Sequence, residues 1–240
     1  MTNMWSVLLS HAFALHVLID PGHGGIDKGA SYYGIKESKV TLNISKYLKD
    51  LIDKDPNINA TLTRKRDVKV SLKHRASKAH KAGSEIFISI HANSSPDKRA
   101  HGAEIYFENQ LSADDESLFL AHREEQIYQD RELSGRPSIF RGKYPSPLSA
   151  ILDDLAKTKN LEQSYTFARV LKTQWQATKD IKVKLRQAPF YVISSVNMPS
   201  VLVEVGFLSH PLESKRIRSK AYQQKVAQII YKALKDYKEL

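Results

Sequence analysis

Short apolar runs alternate with stretches of helical period along this chain of 240 residues, and few folds satisfy that order. His16-Val-Leu-Ile-Asp20, halted by Pro21-Gly22, reads as a buried strand feeding a glycine-rich loop. Val40, Ile44, Tyr47, Leu48, Leu51 and Ile52 then share one helical face, with Ser38 as the expected N-cap. Ala60–Thr63 repeats the strand and Ser71–Ala82 the helix, capped by Ser71 and stopped by Gly83. Ile86-Phe-Ile-Ser-Ile90 is rich in β-branched residues and suits a central strand covered on both faces. Ala103–Phe107, Ala188–Ile193 and Val201–Val205 are the remaining expected strands. Leu161–Ala177 and the face Val226, Ile229, Ile230, Ala233, Leu234 and Tyr237 are the remaining helices. Strand–helix–strand order requires right-handed crossovers between parallel neighbours. The expected fold is therefore α/β, a single domain with a mostly parallel mixed central sheet flanked by helices, plus a helical insertion.

That insertion spans about residues 111–159, where the chain turns polar and is broken by Gly135, Pro137, Gly142, Pro145 and Pro147. Helical patches are expected at Ser117–Tyr128 and Leu148–Ala156, away from the core. The domain then covers residues 16–240, and residues 1–15 stand apart as an N-terminal segment. Met4–Ala14 is mildly apolar and closes on Ala12-Phe13-Ala14, the small-x-small pattern of a signal-peptidase site. No Lys or Arg precedes it, so an export-signal remnant and a docked tail both stay open.

Composition narrows the chemistry. With no cysteine, a disulfide scaffold, a Cys-ligated zinc finger, an iron–sulfur centre and a thiol nucleophile are excluded. Any bound metal must use histidine and carboxylate. No apolar run reaches the ~20 residues that span a bilayer. Lys and Arg number 37 against 26 Asp and Glu, a net +11 that favours a polyanionic partner. Lys78, Lys81, Lys215, Arg216 and Lys220 fall on expected helices with no aromatic interleaving. The missing aromatics weigh against nucleic acid, and charge alone leaves an anionic membrane surface and an acidic wall polymer open.

The loop Asp20-Pro-Gly-His-Gly-Gly25 is not a phosphate cradle: Asp27 stands where a dinucleotide fingerprint needs Gly, and Ala30 where a Walker loop needs Lys. His23 follows the first strand and His91 ends the third, the strand ends where ligand crevices of open α/β sheets form. Glu37 opens the first helix and supplies a candidate anionic ligand. Two His and one carboxylate with an open fourth position is the layout of a catalytic zinc site. Glu204 interrupts the apolar strand Val201–Val205, where an unpaired carboxylate is costly. Beside an activated water it would be a general base. Each residue also has a plainer role: His23 and His91 as hydrogen-bonded loop residues, Glu37 as a helix-opening acid, Glu204 in a buried ion pair. The spacings among them match no short zinc motif.

Taken together, Ile19-Asp-Pro-Gly-His-Gly-Gly25, Gly34-Ile-Lys-Glu37, Thr63-Arg64 with Asp67, Leu72 and Arg75, and Phe87-Ile-Ser-Ile-His-Ala-Asn93 form an ordered set. Phe190-Tyr-Val-Ile193, Met198-Pro199 and Val203-Glu-Val-Gly-Phe-Leu-Ser209 close it. This set closely resembles the zinc-dependent N-acetylmuramoyl-L-alanine amidases of the AmiA/AmiB/AmiC type, the amidase-3 family of cell-wall hydrolases. The resemblance implies one Zn2+ held by His23, Glu37 and His91, with Glu204 as catalytic glutamate, and leaves the substrate-binding residues unknown. It implies hydrolysis of the amide between N-acetylmuramic acid and the L-alanine of peptidoglycan, in the periplasm or outside the cell. Arg64 and Arg75 match family positions with a structural or substrate-orienting role. His80 and His210 stand where the family usually has Asn, and His210 reads as a loop residue.

Ala150-Ile-Leu-Asp-Asp-Leu155 resembles the stretch after the regulatory insertion of the cell-division amidases. In those relatives a helix covers the cleft, and an acid occupies the zinc until an activator protein displaces it. Glu124 or Glu125 is the expected autoinhibitory ligand here, ahead of Asp130 and Glu132; a solvated surface helix is the rival reading. Two rival functions remain at this point: a metallohydrolase of the same fold acting on another amide, and a basic, non-catalytic wall-binding module.

Overall fold

The computed structural model describes residues 14–109, 115–126, 147–179 and 181–240. Much of the N-terminal segment, Asp130 and Glu132 lie outside them. Six strands form one sheet: β1 (Leu15–Pro21), β4 (Ile58–Leu62), β5 (Ile86–Asn93), β6 (Ala103–Phe107), β7 (Val183–Gln187) and β8 (Ser200–Phe207). Their order is β4-β1-β5-β8-β6-β7. The first four in that order run parallel, β6 is antiparallel to β8, and β7 is parallel to β6. A separate antiparallel pair, β2 (Ser31–Tyr32) and β3 (Ile35–Lys36), precedes α1 (Glu37–Ile52). The other helices are α2 (Leu72–Lys81), α3 (Asp115–Gln126), α4 (Pro147–Gln176), α5 (Tyr191–Ser194), α6 (Pro211–Arg218) and α7 (Lys220–Lys238). None is long and apolar enough to cross a membrane.

Alternation along each strand sorts side chains to the two faces. Val17, Ile19, Ile86, Ile88, Ile90, Ile105, Val201 and Val203 pack in one core against α1, α4 and α7. Leu18, Phe87, Tyr106 and Leu202 face the other way, against α2, α3 and α5. The same parity carries Asp20, Ser89, His91, Glu104 and Glu204 to this second face. Apolar residues fill its lower half and polar ones the end where β1, β5 and β8 finish.

Three expectations are corrected. Residues 188–193 are not a strand: β7 lies earlier, at Val183–Gln187, and Tyr191–Ser194 is a single helical turn. An edge strand is half exposed and lacks an apolar run, whereas Phe190, Val192 and Ile193 are apolar because that turn is packed against the sheet. Ser38 is not an N-cap; α1 begins at Glu37 after Lys36, and Ser38 is buried in its first turn. The insertion does not stay off the core, since α3 buries Ser117, Leu120, Ala121 and Glu124. Ser71 does cap α2, accepting from the His74 N–H at 3.2 Å.

Candidate active site

The loop after β1 is fixed by two buried arginines. Arg75 pairs with Asp20 and donates to the carbonyls of Pro21 and His23. Arg64 donates to the carbonyls of Pro21, Gly22 and Ser38, tying the loop to the start of α1. Both guanidiniums position backbone, and Arg75 also balances the buried Asp20 carboxylate. His23 is thereby held at a φ of 57°, with its imidazole fully buried.

His23 Nδ1 sits 3.0 Å from both oxygens of Asp27. A carboxylate on one ring nitrogen orients the other, and here it aims Nε2 into the cleft. Asp27 was not singled out in the sequence; its signal is the four-residue offset from His23 within a glycine-rich loop. His23 Nε2 lies 3.1 Å from Glu37 Oε1 and 3.3 Å from Glu124 Oε2. His91 Nδ1 lies 3.0 Å from the same Glu37 oxygen and 3.8 Å from Glu124 Oε2. Glu37 is anchored by the backbone N–H groups of Ala30 and Ala92. The structure thus brings His23, Glu37 and His91 together and adds Glu124 from α3. Glu125 turns away, toward the Tyr191 backbone.

Two glycines make room for this cluster. A Cβ on Gly22 would stand 2.5 Å from the His91 ring, and one on Gly29 would stand 2.5 Å from both Glu37 Oε2 and His23 Cδ2. Gly29 also has a φ of +62°. Gly29→Ala is therefore expected to weaken metal affinity by about 10–100-fold, as loss of supporting contacts does. Chelator competition on the folded variant measures this, and unchanged affinity would show that the loop does not shape the site.

Burial disfavours a charge on His23, but Glu37, Asp27 and Glu124 outweigh it and raise its pKa well above the usual imidazole value. Burial likewise opposes the Glu37 anion, and the two histidines outweigh it, holding Glu37 well below the usual range. Glu204 differs. Burial and then the charges of Glu37, Glu124 and Glu104 push its carboxyl well above the ordinary value, against the opposing charge of Arg123. Glu204 stands opposite His91 on β8. Its Oε2 is buried with no hydrogen-bond donor among the described residues. Its cross-strand neighbour Glu104 accepts from Asn93, Tyr106 and Arg186, a network not expected from the sequence. His210 caps α6 by accepting from the Glu213 N–H, and His80 is exposed on α2.

Residues 17–236 match the family model described as N-acetylmuramoyl-L-alanine amidase, Amidase_3. The chain belongs to the amidase-3 family. A putative N-acetylmuramoyl-L-alanine amidase of Buchnera aphidicola from Schizaphis graminum is 35% identical, over 92% of this chain and 95% of that protein. Escherichia coli N-acetylmuramoyl-L-alanine amidase AmiA is 33% identical, over 92% of this chain and 75% of that protein. The solved structure of the amidase AmiC2 of Nostoc punctiforme superposes with a TM-score of 0.69 at 27% identity, covering 94% of this chain and 98% of that one. As an amidase-3 enzyme, this chain carries its cluster of histidines and acids where the family fold ends its parallel strands. One atom each from His23, His91 and Glu124 lies within 4.8 Å of the others. Glu124 Oε2 is buried between the two imidazoles, 3.3 Å from His23 Nε2 and 3.8 Å from His91 Nδ1. Imidazole and carboxylate donors without a thiol, converging on one point, fit a single divalent ion such as zinc.

Proposed function

We propose that this amidase is a zinc-dependent peptidoglycan hydrolase that cleaves the amide between N-acetylmuramic acid and L-alanine, and that α3 holds it closed. His23, Glu37 and His91 are the resident ligands. The observation that carries the reading is the buried Glu124 oxygen, 3.3 Å from His23 Nε2 and 3.8 Å from His91 Nδ1. Glu124 sits beside the two histidines, so an ion held by His23, Glu37 and His91 would take Glu124 as a further ligand in the place that substrate would need. Zinc bound there supplies a Lewis acid that polarises the amide carbonyl and acidifies water. Glu204 Oε2 takes the proton from attacking water and returns it to the leaving amide nitrogen. Asp27 keeps the His23 tautomer fixed throughout.

α3 is held down by modest contacts. Arg123 donates to the Ser94 carbonyl at 2.7 Å, and Leu120 and Ala121 cover the apolar half of the face. Ile151, Leu152 and Leu155 are exposed on α4 and offer an activator protein an apolar hold. The catalytic domain is taken as residues 16–240 with its insertion at about 111–159, preceded by an N-terminal segment of residues 1–15, and it works in the periplasm or outside the cell. Its +11 charge favours the anionic wall.

Glu124→Ala tests the closed state. If the open form is populated at about 0.1–10%, basal hydrolysis rises by about 10–1,000-fold. Deleting residues 113–147 gives the same result by removing the helix. Unchanged turnover in both folded variants, measured by dye release from labelled sacculi, would contradict autoinhibition.

A further inference from the structure

Arg186 lies on the edge strand β7, opposite Tyr106, and so shares the face of Glu104 and Glu204. Its Nε donates to Glu104 Oε1 at 2.9 Å, and Glu104 is itself fixed by Asn93 and Tyr106. One end of the guanidinium is thus locked beside the catalytic row. The other end donates to Glu116 Oε2 at 2.7 Å. Glu116 is in the first turn of α3, and its side chain is 61% exposed against 13% for Arg186. So exposed a partner adds little to fold stability. It also leaves with α3 when the site opens.

We infer that Arg186 recognises a carboxylate of the peptide stem, and that Glu116 occupies its place while α3 covers the cleft. The inference rests on the reading of α3 as a lid. An arginine fork fixed at one edge is shaped for carboxylate. Glu204 and Arg186 stand two strands apart in the sheet and two residues out of register, roughly 12 Å. An extended peptide covers that distance in about three residues. The recognised group therefore belongs to an acidic residue within three positions of the scissile amide. Glu124 and Glu116, eight residues apart on one helix, then block two features of the substrate site together: the metal and the carboxylate anchor.

The test uses the Glu124→Ala chain and muramoyl peptides that differ only in whether the second-residue carboxylate, or the third-residue one, is free or amidated. The free acid at one of these positions is expected to have about a tenfold lower KM with a similar kcat. Arg186→Gln erases that preference by raising KM for the free acid alone, any loss through its partner Glu104 falling on kcat for acid and amide alike, and Arg186→Lys restores part of the preference. The position that shows the preference identifies the residue read. A structural role for Arg186 would impair both substrates alike. Equal KM for acid and amide at both positions, or a preference that survives Arg186→Gln, overturns the assignment. Cleavage of no substrate overturns the amidase reading and this assignment with it.

Discussion

Glu204→Gln, made in a Glu124→Ala background, is expected to lower kcat by about 10²–10⁴ while bound zinc stays stoichiometric. Glutamine keeps the size of the side chain and its place opposite His91, and removes only the capacity to carry a proton. That capacity is what the surroundings build. Burial foremost, then the charges of Glu37, Glu124 and Glu104, lifts the Glu204 carboxyl toward the range where it can both accept and return a proton. An orphaned buried oxygen is costly in a folded protein, and in Glu204 it faces the strand ends where substrate must enter. Kinetics with metal analysis on the same sample check the claim. Loss of zinc together with activity would make Glu204 a structural partner of the metal cluster.

Arg75→Met is expected to destabilise the chain by about 3–5 kcal/mol, because it strands a buried carboxylate. Asp20 is fully buried, and burial alone would raise its pKa; the Arg75 charge and the hydrogen bonds from Thr63, Arg75 and Ser89 outweigh that and lower it below 3.8. A depressed folded pKa contributes stability above the unfolded value, and that contribution fades as pH falls through the folded one. The wild-type chain therefore loses this contribution only below about pH 4. The Arg75→Met deficit is largest at neutral pH and shrinks on acidification, where Asp20 is neutral in the variant. Urea melts at neutral and acidic pH measure both. A deficit independent of pH would assign the loss to the backbone bonds at Pro21 and His23 instead.

What was legible in the sequence follows from burial. Ile86–Ile90 is rich in apolar residues because helices cover both faces, so its central place was readable, and Glu204 stood out within the apolar run Val201–Val205. His23 and His91 were readable as strand-end residues. Glu37 looked like an ordinary helix-opening acid, and only the Ala30 and Ala92 N–H groups converging on it distinguish it. Arg186 escaped notice because β7 is an edge strand of mixed, half-buried residues. The choice of Glu124 over Glu125 needed the rotation of α3, which a weakly amphipathic segment does not disclose. The contrast between buried Leu120 and Ala121 and exposed Leu118 and Phe119 fixes that rotation.

The most direct measurement is digestion of purified sacculi by the Glu124→Ala chain, with and without chelator, followed by mass analysis of the soluble products. Intact stem peptides with free L-alanine N-termini are expected, absent after chelation and restored by zinc. Products cut within the peptide or the glycan, or cleavage that survives removal of the metal, would contradict the account.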